Sequence, residues 1–291
     1  MDITAKPGMS SAGGHDAGRI DEQRMADGVA LRLRRWPLPD AKRSVLLVHG
    51  LGEHSGRYAH VAAWFRQRGF DVLSYDQRGH GESPGPRGAL KHQDDLLTDL
   101  AAVYNGYAGN LPHRPLLLGH SMGGLVAART VLDGRIQPAG MLLTSPALRS
   151  WSGAGLRKLA HLLASVLPNL PLSNGLKVDH LSHDAAVVAA YRKDPRVFST
   201  ITPRLADFIF RAGATCIADA GKLSVPTLLL VAGADKLVDP SGSSAFAAAA
   251  PTGLLTTRHF AALFHELMNE ADPARTQVMK QIGDWLDRLP D

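Results

Sequence analysis

Short continuous apolar runs alternate along most of the chain with stretches in which apolar residues recur every three or four positions. Phe70 to Tyr75 reads as a strand that carries Asp71 and Ser74, and Val45 to Val48, Leu116 to Gly119, Met141 to Thr144 and Val225 to Val231 have strand length and are largely apolar without a regular polar alternate. A strand reads that way when both faces of its sheet are covered. Tyr58 to Arg68, through Val61, Trp64 and Phe65, carries the helical period, as do Leu96 to Tyr107, Ser121 to Leu132, Ser243 to Ala250 and Thr276 to Leu289. Strands alternating with helices predict an α/β fold, a mostly parallel sheet with helices on both faces. Ahead of it, Gln23 to Met25 and Val29 to Trp36 flank the turn signal Ala26-Asp-Gly28 and predict an antiparallel hairpin. Leu254 to Thr257 is a last short strand.

The alternation stops after Ser145-Pro146 and resumes near Val225. Between them lie helical pieces broken by Pro168, Pro171, Pro195 and Pro203. We expect a helical cap over residues 146–224, inserted into a core of residues 20–145 and 225–291, because insertions in such sheets lie over the carboxyl ends of the strands, where ligands bind. Within the cap, Leu156, Leu159, Leu162, Leu163, Val166 and Leu167 form one helix face, opposite Arg157, Lys158 and His161. For an amphipathic helix the commoner fate of that face is packing on the sheet domain. The alternative is contact with a lipid aggregate or membrane surface without spanning it.

Composition narrows the classes. The 291 residues are 45% hydrophobic, enough for one large domain with an insertion. One cysteine, Cys216, leaves no internal disulfide framework and fits a reducing, cytoplasmic setting. Met1 to Arg19 is small and polar, without the apolar core of a signal peptide, and is expected to be a disordered tail. No apolar run reaches eighteen residues. The net charge of +5 includes Arg32, Arg34 and Arg35, but these alternate with Leu31, Leu33 and Trp36 as a half-exposed strand would. No nucleic-acid module accompanies them, so no nucleic-acid partner is expected.

The candidate chemistry centres on Gly119-His-Ser-Met-Gly123, at the bend between the strand from Leu116 and the helix that follows. Gly119 and Gly123 permit a tight turn that lifts the Ser121 hydroxyl clear of the sheet, and the Met122 amide opens the helix as an oxyanion donor. A second G-x-S-x-G, Gly81-Glu-Ser-Pro-Gly85, lacks a leading strand, and Pro84 has no N–H to donate. Ser83 therefore reads as a loop residue. A serine hydroxyl needs a histidine base, which in turn needs a carboxylate, and on this strand order they follow in the sequence Ser, Asp, His. Asp235 sits just past the resumed strand and is better placed than Asp239. Only His259 and His265 lie beyond it; His259 abuts the last strand, whereas His265 lies in the loop before the final helix, and we choose His265. Leu51, between Gly50 and Gly52, is the candidate second oxyanion donor, and His49 reads as a structural side chain bonded to loop backbone. His265-Glu-Leu-Met-Asn269 is half of a zinc motif with Asn269 at the second ligand position, and no metal or other cofactor is expected.

His49-Gly-Leu-Gly-Glu-His-Ser-Gly-Arg-Tyr58, Asp76-Gln-Arg-Gly-His-Gly-Glu-Ser83, Gly119-His-Ser-Met-Gly-Gly124, Gly233-Ala-Asp235 and Phe264-His-Glu-Leu-Met-Asn-Glu270 together resemble the monoacylglycerol lipase and lysophospholipase group of α/β-hydrolases. The resemblance runs from about Met25 to the C-terminus. It implies a triad of Ser121, Asp235 and His265, supporting His265 over His259, and an oxyanion hole at Leu51 and Met122. It also implies a polar pocket for the alcohol at Glu53, Arg57 and Tyr191, although Glu53 and Arg57 would equally brace their loop as an ion pair. Met268 departs from the pattern, since the animal lipase has a histidine there near the alcohol. The expected activity is a serine esterase releasing fatty acid from monoacylglycerol, with a lysophospholipase or short-chain carboxylesterase as alternatives. A ligand-binding protein with an idle serine is the alternative of another class, which the intact triad and both oxyanion loops argue against.

Overall fold

In the computed structural model, which describes residues 16–289, ten strands and eight α-helices follow one another along the chain. The expected tail is in part outside that range, and its last residue already belongs to a strand. β1 (Arg19–Arg24) and β2 (Ala30–Trp36) form the hairpin, and Trp36 Nε1 donates to Asp16 O at 2.8 Å. β3 (Arg43–Val48), α1 (Ala59–Gln67), β4 (Phe70–Tyr75), α2 (Asp95–Ala108), β5 (Leu116–His120), α3 (Met122–Leu132) and β6 (Met141–Thr144) come next. Between β6 and the next core strand lie α4 (Ala154–Val166), β7 (Leu172–Ser173), α5 (Ala185–Lys193), β8 (Thr200–Ile201) and α6 (Pro203–Ala218). β9 (Thr227–Ala232), α7 (Ser241–Ala249), β10 (Leu255–Phe260) and α8 (Ala274–Leu286) complete the chain.

Eight strands make one sheet in the order β1-β2-β4-β3-β5-β6-β9-β10, antiparallel only where β2 meets β1 and β4. Its inner strands β3, β5, β6 and β9 are mainly apolar because each face of the sheet has its own core. Leu46 and Val48 point with Leu117 toward α2, α3, α6 and α7, while Val45 and Leu47 point with Leu116 and Leu118 toward α1 and α8. Fully burying each such leucine contributes about 1.5–3 kcal/mol, so both layers hold the sheet. β10 runs to Phe260, past the expected Thr257, and so contains His259 rather than ending beside it. Its residues are only half-buried at the sheet edge, and polar Arg258 and His259 hide the strand from a hydrophobicity reading.

The segment between β6 and β9 divides unevenly. On α6, Leu205, Phe208 and Cys216 are buried in the core beneath α3, so this helix belongs as much to the sheet layer as to an insertion. α4 lies on α6, yet Leu156, Leu159, Leu162, Val166 and Leu167 are exposed by 48–61%. The face therefore does not pack on the sheet domain, the commoner fate of an amphipathic helix face. Residues 191–202 are tied to the core loops: Phe198 N donates to Gly52 O (3.0 Å), His54 Nε2 pairs with Asp194 Oδ2 (2.8 Å), and Thr202 N donates to Gly88 O (2.9 Å). Among the described residues, no helix is long and apolar enough to cross a membrane.

Candidate active site

Parallel pairing aligns the carboxyl ends of the strands, and the candidate residues sit on the loops that leave them. Val48 pairs with Gly119, His120 with Thr144, and Phe260 with Ala232. Ser121 follows β5 directly, with φ 54° and ψ −120°, a conformation that side chains other than glycine's rarely adopt. Neighbours hold it there: Ser121 N donates to Thr144 O, and Ser121 O accepts from Leu125 N and Ala147 N, each at 3.0 Å. Any Cβ at Gly123 would lie 2.3 Å from Val48 O, and at Gly119 2.5 Å from Gly123 O. Glycine at these two positions is what lets α3 close against the end of β3.

Met122 is the first residue of α3, where N–H groups lack an intrahelical acceptor. Leu51 lies across from it in the loop after β3, and a Cβ on Gly50 would stand 3.2 Å from Ser121 Cβ. His265, in the loop after β10, and Asp235, after β9, are both 4% exposed, with His265 Nδ1 2.7 Å from Asp235 Oδ2. Asp235 Oδ1 accepts from Leu237 N (2.8 Å) and Val238 N (2.9 Å), so the carboxylate cannot turn away. Burial favours a neutral imidazole, but attraction to Asp235 and their hydrogen bond outweigh it and raise the His265 pKa. Burial likewise opposes the Asp235 charge, and His265 with the two backbone N–H groups lowers its pKa on balance. Ser145 Oγ donates to His265 O (2.8 Å), pinning the histidine loop to the end of β6.

Ser121, His265, Leu51 and Met122 line one cavity of about 320 Å³. Glu53, Tyr191 and Glu266 are among its polar lining residues, as are Arg149, Ser150 and Asn174, while Leu159, Leu163, Leu176, Ile209, Phe210 and Val238 supply apolar lining from the segment after β6 and the loop after β9. Arg57 is not part of that lining. Its guanidinium lies behind Glu53 and Glu266, hydrogen-bonded to both and over the Tyr191 ring at 4.7 Å. The expected ion pair of Glu53 and Arg57 is present, and Glu266 is a third member the sequence reading did not single out. His120, also unassigned, is buried with its ring 4.8 Å from that of His265; burial, then the neighbouring histidine, push its pKa down to about 4.

The other candidates fall outside the cavity. Ser83 Oγ donates to Asp76 O (2.6 Å) and accepts from Arg32 N (2.8 Å), a buried splint between loop and hairpin. His259 is exposed on β10. His49 Nδ1 lies 2.8 Å from Gly50 O, and its Nε2 accepts from Gln77 N at 2.9 Å, the loop-backbone role expected of it. Among the described residues, no group of three or more His, Cys, Asp or Glu could hold a metal ion.

Residues 39–272 match the model of the serine aminopeptidase S33 family. An uncharacterized abhydrolase domain-containing protein of Dictyostelium discoideum is 33% identical over 90% of this chain, which spans only 28% of that protein's length. A monoacylglycerol lipase of Mycolicibacterium smegmatis is 31% identical over 89% of this chain and 93% of its own. The crystal structure of Paleococcus ferrophilus monoacylglycerol lipase superposes with a TM-score of 0.81 at 31% identity, over 88% of this chain and 98% of that one. The chain thus belongs to the serine aminopeptidase S33 family, in the monoacylglycerol lipase group of α/β-hydrolases, and is an ester hydrolase.

Proposed function

We propose that the protein hydrolyses monoacylglycerols through an acyl-enzyme intermediate. Ser121 Oγ attacks the ester carbonyl while His265 takes its proton, and the Leu51 and Met122 amides receive the charge that develops on the carbonyl oxygen. Asp235 holds the imidazole with its proton on Nδ1, leaving Nε2 to act as base and then as acid toward the departing alcohol. Water activated by the same histidine releases the fatty acid. The observation that carries this reading is the mixed lining of the cavity beside Ser121: Leu159, Leu163, Ile209 and Phe210 suit an acyl chain, and Glu53 and Tyr191 suit the hydroxyls of a small neutral alcohol. Arg57 serves the polar lining indirectly, because its donors are engaged by carboxylates.

In the same proposal, residues 146–224 act as the cap, and the exposed leucines of α4 touch the lipid aggregate that supplies substrate. A fluorophosphonate probe and a hydrolysis panel of monoacylglycerols, lysophospholipids, diacylglycerols and short nitrophenyl esters test it. Labelling confined to Ser121 with preference for monoacylglycerol is expected. Preference for lysophospholipid would overturn the substrate, and absence of labelling would overturn the mechanism.

A further inference from the structure

Arg57, Glu53 and Glu266 form a chain of contacts between two loops that approach Ser121 from opposite sides. Arg57 Nη1 donates to Glu53 Oε2 (2.5 Å) and Glu266 Oε1 (2.6 Å), and Nη2 donates to Glu266 Oε2 (2.7 Å). The second oxygen of Glu53 accepts from Gly50 N (2.6 Å) and Tyr58 OH (2.9 Å). Glu266 Oε2 also accepts from Asn269 Nδ2 (2.8 Å), and Glu266 N donates to Leu181 O (2.8 Å). Glu53 and Glu266 are 3% and 4% exposed. Two buried carboxylates sharing one guanidinium carry a net negative charge, a costly arrangement for a loop brace that one ion pair would serve.

We propose that Glu266, with Arg57, is a positioning residue of the reaction: their bidentate pair, continued through Glu53 to the Gly50 amide, sets the distance between the loop bearing His265 and the loop bearing the Leu51 N–H. The inference rests on the roles proposed above for Ser121, His265 and Leu51. Glu266 immediately follows His265, so a shift of its carboxylate moves the imidazole. Gly50 immediately precedes Leu51, so a shift of Glu53 moves the amide that faces the oxyanion. The planar fork of arginine reaches both carboxylates at once, which a lysine ammonium does not reproduce. A positional error of about 1 Å at such a site costs about 100-fold in rate. The groups around Glu266 are Arg57, Glu53 and Tyr58 from the segment after β3, His120 from β5, Tyr191 from α5, and Asn269 from its own loop. Those facing His265 are Asp235, His120, Glu53 and Glu266. Both glutamates favour the imidazolium, so the device also has an electrostatic effect on the base.

The test compares the full chain with Glu266→Gln, Arg57→Lys, Arg57→Met and the Glu266→Gln/Arg57→Met double variant. kcat and KM are measured on a soluble nitrophenyl ester from pH 5 to 9, alongside thermal unfolding. We expect Glu266→Gln to lower kcat about 10- to 100-fold with KM changed less than about threefold, and its acid limb to move to lower pH. The double variant should lose no more than the worse single one, since both act through one contact. Arg57→Lys, which keeps the charge but not the fork, should lose kcat too, and it decides the matter if Glu266→Gln does not fold. A folded Glu266→Gln with wild-type kcat, a rise in KM alone, or additive losses would each overturn the proposal. Failure of the wild type to label at Ser121 would instead refute the proposed mechanism on which it rests.

Discussion

Replacing Asp235 with asparagine separates orientation from charge in the His265 pair. Asp235 Oδ1 is held by the N–H groups of Leu237 and Val238, so an asparagine keeps its oxygen there and turns its NH₂ toward His265 Nδ1. The imidazole must then accept at Nδ1, and its proton moves to Nε2, the nitrogen that should take the serine proton. A wrong tautomer at an otherwise intact triad costs about 10⁴ in kcat, or about 5.4 kcal/mol at 1.36 kcal/mol per tenfold. The assay is steady-state hydrolysis of a soluble nitrophenyl ester across pH, with thermal unfolding of both proteins. In the wild type the acid limb should lie above the ordinary imidazole value, about 6.5, because the folded His265 pKa is raised. Stability carries its own sign. The raised His265 contributes below its unfolded pKa and loses that contribution as pH rises through the folded one. The lowered Asp235 contributes above its unfolded pKa and loses it as pH falls through the folded one. Asp235→Asn should therefore cost most stability between about pH 4 and 6.5. A folded variant within tenfold of wild-type kcat would refute the reasoning.

Three further outcomes follow from contacts already described. Ser121→Ala should abolish ester turnover, whereas Ser83→Ala should keep it but lose about 1–3 kcal/mol of stability from its two buried hydrogen bonds; urea unfolding with activity at zero denaturant checks both. His265→Ala should remove turnover on the soluble ester, while His259→Ala, altering an exposed side chain, should change kcat less than twofold, and an inactive folded His259 variant would reverse the assignment. Leu162→Asp should leave the melting temperature within about 1 °C, as exposed sites do, and lower activity on long-chain monoacylglycerol in vesicles more than on a soluble ester; equal loss on both would remove the case for lipid contact.

What the sequence disclosed is governed by distance along the chain. The elbow is local, five residues in which Gly119 and Gly123 flank a bend, and so it is readable. Chain order added Asp235 and His265, because a parallel sheet sends both to the same end as Ser121. Glu53 and Arg57 are four residues apart and suggested a pair at once. Glu266 is 209 positions from Arg57 and sits in a segment that resembled half a zinc motif, so no local signal marked it. Pro84 argues in the sequence against Ser83 as a nucleophile, but the splint of Ser83 to Arg32 crosses 51 positions and appears only in the fold. The two-residue strands β7 and β8 are shorter than any periodicity can register.

The unequal fastening of the segment between β6 and β9 has a consequence for how such enzymes diversify. Its later part, from Tyr191 to Thr202, is stitched to Gly52, His54 and Gly88, so altering it disturbs the loop that carries the Leu51 amide. α4 touches the cavity through Leu159 and Leu163 but contributes none of those stitches. Under the proposed function, substitutions in α4 can therefore change chain-length preference while leaving the contacts of the loop that carries Leu51 in place. A library randomised over residues 156–167 should yield variants that differ in acyl preference at nearly constant rate of Ser121 phosphonylation, making this helix the natural handle for redesign.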